Sequence, residues 1–414
     1  MIRTIGYQKE LPVLRLICAI SLVCLAACSP KQTEEASKPS TVIKFDSSAF
    51  SAQVGIEAYT SLSRANRSAQ VMDSKLASFM YHPNPMSQEE ITQSWRQAYD
   101  DFLASLIFAY LPIQDPPDWH TQRIAYEDLL VQLDSWPIEG GYIDYIQGYP
   151  FSGIVNDLTL VIDEKNIRSQ HGFTDPSNAS LGYHAIEFMF WGQEGKRSAH
   201  DFFPQENTAP VPINDAEESL HNDDEQDIND EDLRHAGESL HIPQNHNRRR
   251  QYTKLLSEIL QKDLHRIQRR WEVSSGYYAQ LLQQSSPENT LQAALIAGQR
   301  FISEELLQKR FQLTSSEFSN TSQQDLLALL TGLESWYLPK EEEQQEASLG
   351  FLMQQADSQI AADFIQSLAT TKSCIEKMTA KASDIDQCKQ DTITLLSNLR
   401  RSANSLNVDL PALD

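Results

Sequence analysis

Ser180-Leu-Gly-Tyr-His-Ala-Ile-Glu-Phe-Met-Phe-Trp-Gly192 is apolar on nearly every face. Ser180 suits a helix N-cap and Gly192 a C-terminal stop, so the spacing predicts a helix of about three turns between them. A helix that is apolar all round belongs in an interior, and its two ionisable groups, His184 and Glu187, go in with it. Three residues apart, they share one side of the helix. An ionised carboxylate taken out of water alone costs several kcal/mol, so Glu187 must be neutral, paired with a cation, or bound to a metal.

The long segments are rich in Leu, Ala, Gln, Glu and Ser, and glycine is scarce at 15 of 414 residues. This composition predicts helices rather than sheet. Helical spacing runs from Val54 toward Phe79. It is clearest from Ser87 to Tyr110, where Ser87 and Glu90 stand in capping-box spacing ahead of a strip of Ile91, Trp95, Tyr99, Phe102, Leu106 and Tyr110. That strip reads as core. Further helices are expected over Arg123–Leu133, from Asn245 through Trp271, and over Leu291–Phe311, Leu327–Leu338, Glu341–Thr371 and Asp384–Leu406. Pro137 turns the chain at Trp136, whose indole is expected to pack inward. The predicted class is all-α: two packed bundles of about four helices each, over 45–204 and 245–414.

The amino terminus reads as a targeting segment, residues 1–28. Arg3, Lys9 and Arg15 precede an apolar run from Leu16 to Ala27 that is too short for a stable bilayer span, and Leu-Ala-Ala-Cys28 has the form of a bacterial lipobox. Acylation of Cys28 would tie the chain to outer-membrane lipid on the periplasmic face, with 29–44 as a flexible tether. Processing leaves Cys374 and Cys388, and two thiols in an oxidising compartment are expected to pair.

The formal charge is −23, which argues against nucleic acid. Asp215–Asp232 alone carries ten acidic residues in eighteen positions. The interval 205–244 is therefore expected to be an exposed acidic insertion. His221, His235, His241 and His246 flank it, a pattern open to weak metal collection or to plain solvation. The helix after it has a basic face with Lys254, Lys262, Arg266, Arg269 and Arg270, following Arg248–Arg250. These cations read as a solvated face, as partners of the acidic insertion, or as the neutraliser of a buried carboxylate.

The wording Gly182-Tyr-His-Ala-Ile-Glu187 resembles the GxHxxE signature of the imelysin-like family of bacterial envelope proteins, whose members are often iron-regulated lipoproteins and whose name comes from an insulin-cleaving peptidase. Ser135-Trp136-Pro137-Ile138 and Gly153-Ile-Val-Asn-Asp157 are similar to family blocks in the same order, as are Glu305-Leu-Leu-Gln-Lys-Arg310 and Phe318-Ser319-Asn-Thr-Ser-Gln-Gln-Asp325. The family histidine of the last block is Gln323 here, and its usual lead-in is replaced by Thr314-Ser-Ser-Glu317. The resemblance implies two helical bundles with the GxHxxE helix near their interface. It also directs attention to Gly182, Trp136, Arg310, Ser319 and Asp325 as supporting residues.

Three functions follow as expectations. The first is a divalent-metal binder, iron favoured with zinc or copper as alternatives, in which His184 and Glu187 are joined by Glu305 or Glu317 and the cargo passes to a membrane uptake protein. The second is a metallopeptidase, though the chain has no HExxH and shows no Ser-His-Asp or Cys-His set. The third is a structural or partner-binding lipoprotein whose polar cluster fixes an interface.

Overall fold

The computed structural model describes residues 46–111, 120–205, 245–337 and 342–413. The targeting segment with Cys28, the tether, nearly all of the acidic insertion and three of its flanking histidines lie outside the described residues.

Thirteen α-helices and no β-strand occur among the described residues, and Lys44–Asp414 forms one compact unit. In chain order they are α1 (Ser48–Tyr81), α2 (Pro85–Ser105), α3 (His120–Leu133), α4 (Gly140–Ile143), α5 (Glu164–Gln170), α6 (Tyr183–Trp191), α7 (His246–Arg270), α8 (Tyr277–Gln284), α9 (Pro287–Arg300), α10 (Ser322–Tyr337), α11 (Leu349–Ala356), α12 (Ser358–Lys377) and α13 (Ala382–Ser405). No described helix is long and apolar enough to cross a membrane.

The 34-residue α1 is the spine, about 51 Å long at 1.5 Å per residue. Its buried stripe of Phe50, Val54, Ala58, Leu62, Ala65, Ala69, Met72, Leu76 and Phe79 repeats every three or four residues. The alanines at its centre let neighbours approach closely, and α1 packs along both α2 and α7. Helices from before and after the acidic insertion thus share one packing partner. On its far side α2 meets α10, where Gly332 lies so close that a Cβ would fall 2.4 Å from the Ala104 carbonyl oxygen.

Several boundaries differ from expectation for local reasons. Asn84 caps α2, accepting from the Met86 and Ser87 amides at 2.9 and 3.1 Å, while Ser87 Oγ accepts from the Asn84 amide. The capping box is therefore Asn84/Ser87 and not Ser87/Glu90. The segment expected as one helix over Glu341–Thr371 breaks at Asp357, whose carboxylate caps α12 through the Gln359 and Ile360 amides. The expected Leu291–Phe311 helix is α9 continued by a π-helical stretch, Phe301–Lys309. Cys374 and Cys388 form the expected disulfide, tying α12 to α13 with Cα atoms 5.5 Å apart.

Candidate functional site

Helix α6 begins two residues later than its sequence suggested. Gly182 takes φ +92°, ψ −174° and so stands outside the helix, which starts at Tyr183. Ser180 donates its hydroxyl to the Ile167 carbonyl instead of capping. A Cβ on Gly182 would sit 2.3 Å from the Gln132 carbonyl oxygen and 2.6 Å from that of Leu133, so only glycine combines this backbone with this approach to the end of α3. Gly192 ends the helix as expected, at φ +66°. Every residue from Tyr183 to Phe190 is buried, with Glu187 at 0 % and His184 at 1 % exposure. The two charged side chains do go inside.

What satisfies them is a run of buried groups drawn from five parts of the chain. Glu187 Oε2 accepts from His184 Nδ1 at 2.8 Å, and its Oε1 accepts from the amide and hydroxyl of Ser319 at 2.8 and 2.6 Å. On its other side His184 Nε2 faces the Tyr99 hydroxyl at 2.9 Å and Asp134 Oδ1 at 3.3 Å. Tyr99 has one proton and donates it to Asp134 at 2.7 Å, so the contact between Tyr99 and His184 requires the imidazole to donate. Nε2 therefore carries hydrogen, and with Nδ1 set against the Glu187 carboxylate the ring stands between two acceptors, the arrangement of an imidazolium. Its pKa agrees in direction: burial pushes it down, but hydrogen bonds to Asp134 and Glu187 and the charges of both carboxylates outweigh that and raise it to about 9.

Arg310 carries the chain of charge onward. It contacts Asp134 with one terminal nitrogen, donates to the Tyr99 hydroxyl at 2.9 Å with the other, and reaches Glu305 through Nε at 2.7 Å. Its guanidinium lies 4.8 Å from the centre of the Trp136 ring, which covers it. Glu305 also accepts from Tyr110 at 2.6 Å and Lys309 at 2.9 Å. Burial would raise the pKa values of Asp134 and Glu305, but the adjacent guanidinium holds both down. From Glu187 through His184, Asp134, Arg310 and Glu305 to Lys309 the signs alternate, so no charge in the row lacks an opposite neighbour.

The π-helical stretch makes part of this possible. In an α-helix, at 3.6 residues per turn, side chains five apart point about 140° away from each other. The wider turn of Phe301–Lys309 brings positions five apart back over one another, and Glu305 and Arg310 meet directly.

A second branch joins through Ser319, whose hydroxyl meets that of Thr321 at 2.8 Å. Arg96 donates to Thr321 at 2.7 Å and to Asp325 at 2.8 Å, and Asp325 also accepts from Ser315 and Ser316 at 2.5 and 2.8 Å. Of the residues singled out by sequence, His184, Glu187, Glu305, Arg310, Trp136, Ser319 and Asp325 are thus brought into one connected network, with Gly182 at its edge. Glu317 is not: its side chain is exposed, because the turn that aims the Ser319 amide at Glu187 points Glu317 outward. Gln323 reaches away to the Ile375 carbonyl.

Sequence reading missed Tyr99, Asp134, Tyr110 and Arg96. Tyr99 was read only as core, although a buried tyrosine hydroxyl needs a partner. Asp134, between the end of α3 and the turn at Trp136, belongs to no motif or periodic strip.

A resident metal does not fit this arrangement. Both imidazole nitrogens already donate, Arg310 separates Glu305 from the His184 carboxylates, and no group of three or more His, Cys, Asp or Glu among the described residues could hold an ion.

A separate buried cluster lies nearby. Asp144, fully buried, is gripped by Arg197 at 2.5 Å and by Arg249 at 2.6 and 3.1 Å, with both guanidiniums near the Tyr145 ring. Arg249 is therefore the neutraliser of a buried carboxylate, one of the roles open to the basic segment. Arg248 donates to four backbone carbonyls between Ile154 and Leu160 instead.

The fold is similar to an iron-regulated protein A precursor from Parabacteroides distasonis ATCC 8503, at 13% identity and TM-score 0.58, covering 88% of this chain and 97% of that one. It is also similar to an imelysin-like protein from Psychrobacter arcticum 273-4, at 10% identity and TM-score 0.54, covering 89% and 99%. No curated protein matches. The imelysin (peptidase M75) family model matches residues 57–405, which takes in every block quoted above together with the C-terminal helices, and the chain belongs to the imelysin family.

Proposed function

We propose that this chain is a non-catalytic iron-handling protein, held by acylated Cys28 at the periplasmic face of the outer membrane, that takes up iron as a complex and yields it to a membrane uptake protein. Zinc or copper are the alternative cargoes. The iron-regulated description of a structural relative and the lipobox wording support the setting.

The observation that carries the non-catalytic part of the reading, and sets the cargo apart from GxHxxE, is the closed, charge-alternating row through His184 and Glu187. Buried charges that satisfy one another fix the geometry of the segments that contribute them, and they leave no ligand position open. On this reading GxHxxE is a latch between α6, α2, the end of α3 and the 301–319 segment, and the cargo is held as a complex elsewhere. A peptidase would need an open metal position and a general base, and His184 with both nitrogens donating supplies neither.

The test is elemental analysis of protein matured in a periplasm and never exposed to nickel resin. Iron is expected above zinc and copper. The His184→Ala, Glu187→Ala double variant is expected to melt lower while keeping its iron per folded chain. Iron at blank level in wild type sinks the iron assignment. Loss of iron from a double variant with an unchanged melt would instead make the two residues ligands.

A further inference from the structure

Away from the latch, a cavity of about 680 Å³ opens between α3, α5 and the end of α7. Four arginines line it: Arg168 from α5, and Arg266, Arg269 and Arg270 from α7, with Gln132 and Asp128 from α3. Four arginines lining one hollow is unexpected in a chain of formal charge −23.

The end of a helix attracts cations by its dipole, which accounts for Arg269 and Arg270 in the last turn of α7. It does not account for Arg168, which comes from another helix and is locked in place. Arg168 makes a two-point bridge to Asp263 at 2.9 and 2.9 Å, a third bond to Glu164 at 3.0 Å and a fourth to Gln132 at 2.7 Å. Asp263 is itself buried and also accepts from Arg266 at 3.0 Å, so its one charge is shared between two guanidiniums. Glu164 is likewise shared with Lys262 at 2.7 Å. The carboxylates behind the wall are used up in rigidifying it. Arg269 is exposed and carries no ion pair among the described residues. Among the described lining residues Asp128 is the one acidic side chain, set against Arg269 and against Arg266, which has only a share of Asp263.

We propose that this cavity binds a small anion carrying two or more carboxylate or phosphate groups. Its volume falls within the usual span of ligand sites, roughly 300–1,000 Å³. Guanidinium forks match carboxylate and phosphate oxygens two at a time. Arg266 and Arg269 are the contacting residues, on adjacent turns of α7. Arg168 and Gln132 hold the wall. The proposal does not depend on the iron reading, because the cavity recognises the anion whether or not it carries a metal.

The experiment is calorimetric titration of the purified full chain with citrate, ferric citrate and pyrophosphate, at two salt concentrations. Saturable one-to-one binding of at least one of these anions is expected, weakening as salt rises. The Arg266→Ser, Arg269→Ser variant should weaken it by about tenfold or more, two charge-assisted contacts being lost. Asp263 keeps Arg168 in that variant, so its melt should match wild type. Lys254→Ser, removing one exposed charge from the other end of the same helix, should leave affinity within about twofold. The single Arg269→Ser variant gives the same reading with Arg266 left on Asp263. No saturation with any of the three anions up to millimolar concentration overturns the proposal, as does an equal loss in the Lys254→Ser control. Ferric citrate binding more tightly than citrate would also favour the iron reading; equal binding would uphold the cavity and count against iron as its cargo.

Discussion

Asp144 and Glu187 are both carboxylates at 0 % exposure, yet one is held by two guanidiniums and the other by an imidazolium and a serine. Guanidiniums stay charged at every pH a cell meets, so the Asp144 cluster is permanent. The Glu187 cluster rests on a proton that His184 must keep. The same burial therefore yields one cross-link that ignores pH and one that depends on it.

The largest expected effect comes from breaking the permanent cluster. Asp144→Asn leaves Arg197 and Arg249 buried beside an amide and should cost about 3–5 kcal/mol, the range for removing one partner of a buried pair. Urea unfolding followed by circular dichroism reads it. A loss comparable to that of an exposed pair, such as Lys372 with Glu334, would show that water reaches the cluster.

The next effect separates the two clusters by pH. The folded pKa of His184 is raised to about 9 from 6.5, so its stabilising share is complete below about pH 6.5 and is lost as pH rises through 9. By linkage the loss is on the order of 3 kcal/mol. Wild-type stability should decline over that window, and His184→Ala should flatten the decline. Asp144 contributes nothing to it, since its lowered pKa confines its influence to acid. His171, half-buried and pushed down to about 4 by that desolvation, also acts only on the acid side, where its stability share is lost as pH falls below 6.5. An unchanged alkaline slope in His184→Ala would show that the imidazole is neutral in the fold.

The smallest effect tests the cover over Arg310. Trp136→Leu keeps an apolar lid but removes the ring face 4.8 Å from the guanidinium, and should cost about 1 kcal/mol. A thermal melt at neutral pH suffices to measure it.

Much of this was legible in residue order because it is local. The all-α class, the stop at Gly192, the burial of His184 and Glu187 and the Cys374–Cys388 bridge follow from the kind and spacing of nearby residues. Glu305, Arg310, Ser319 and Asp325 were legible only through resemblance to a family, since nothing in their own neighbourhoods announces a shared network. Glu317 shows the limit of that route. Two residues from Ser319, it faces solvent because one turn cannot direct both side chains inward.

Residue order alone dictates which groups could not remain in water or alone: a helix apolar on all sides carries its histidine and glutamate inside whatever surrounds it. Which partners meet them is settled by the packing of distant segments. Tyr99 lies 85 positions from His184, Asp134 50 positions, and Ser319 132 positions from Glu187. Contacts at such separations are selected by how whole helices pack, and by a π-helical turn that brings Glu305 over Arg310. The periodicity of a single segment carries no information about either.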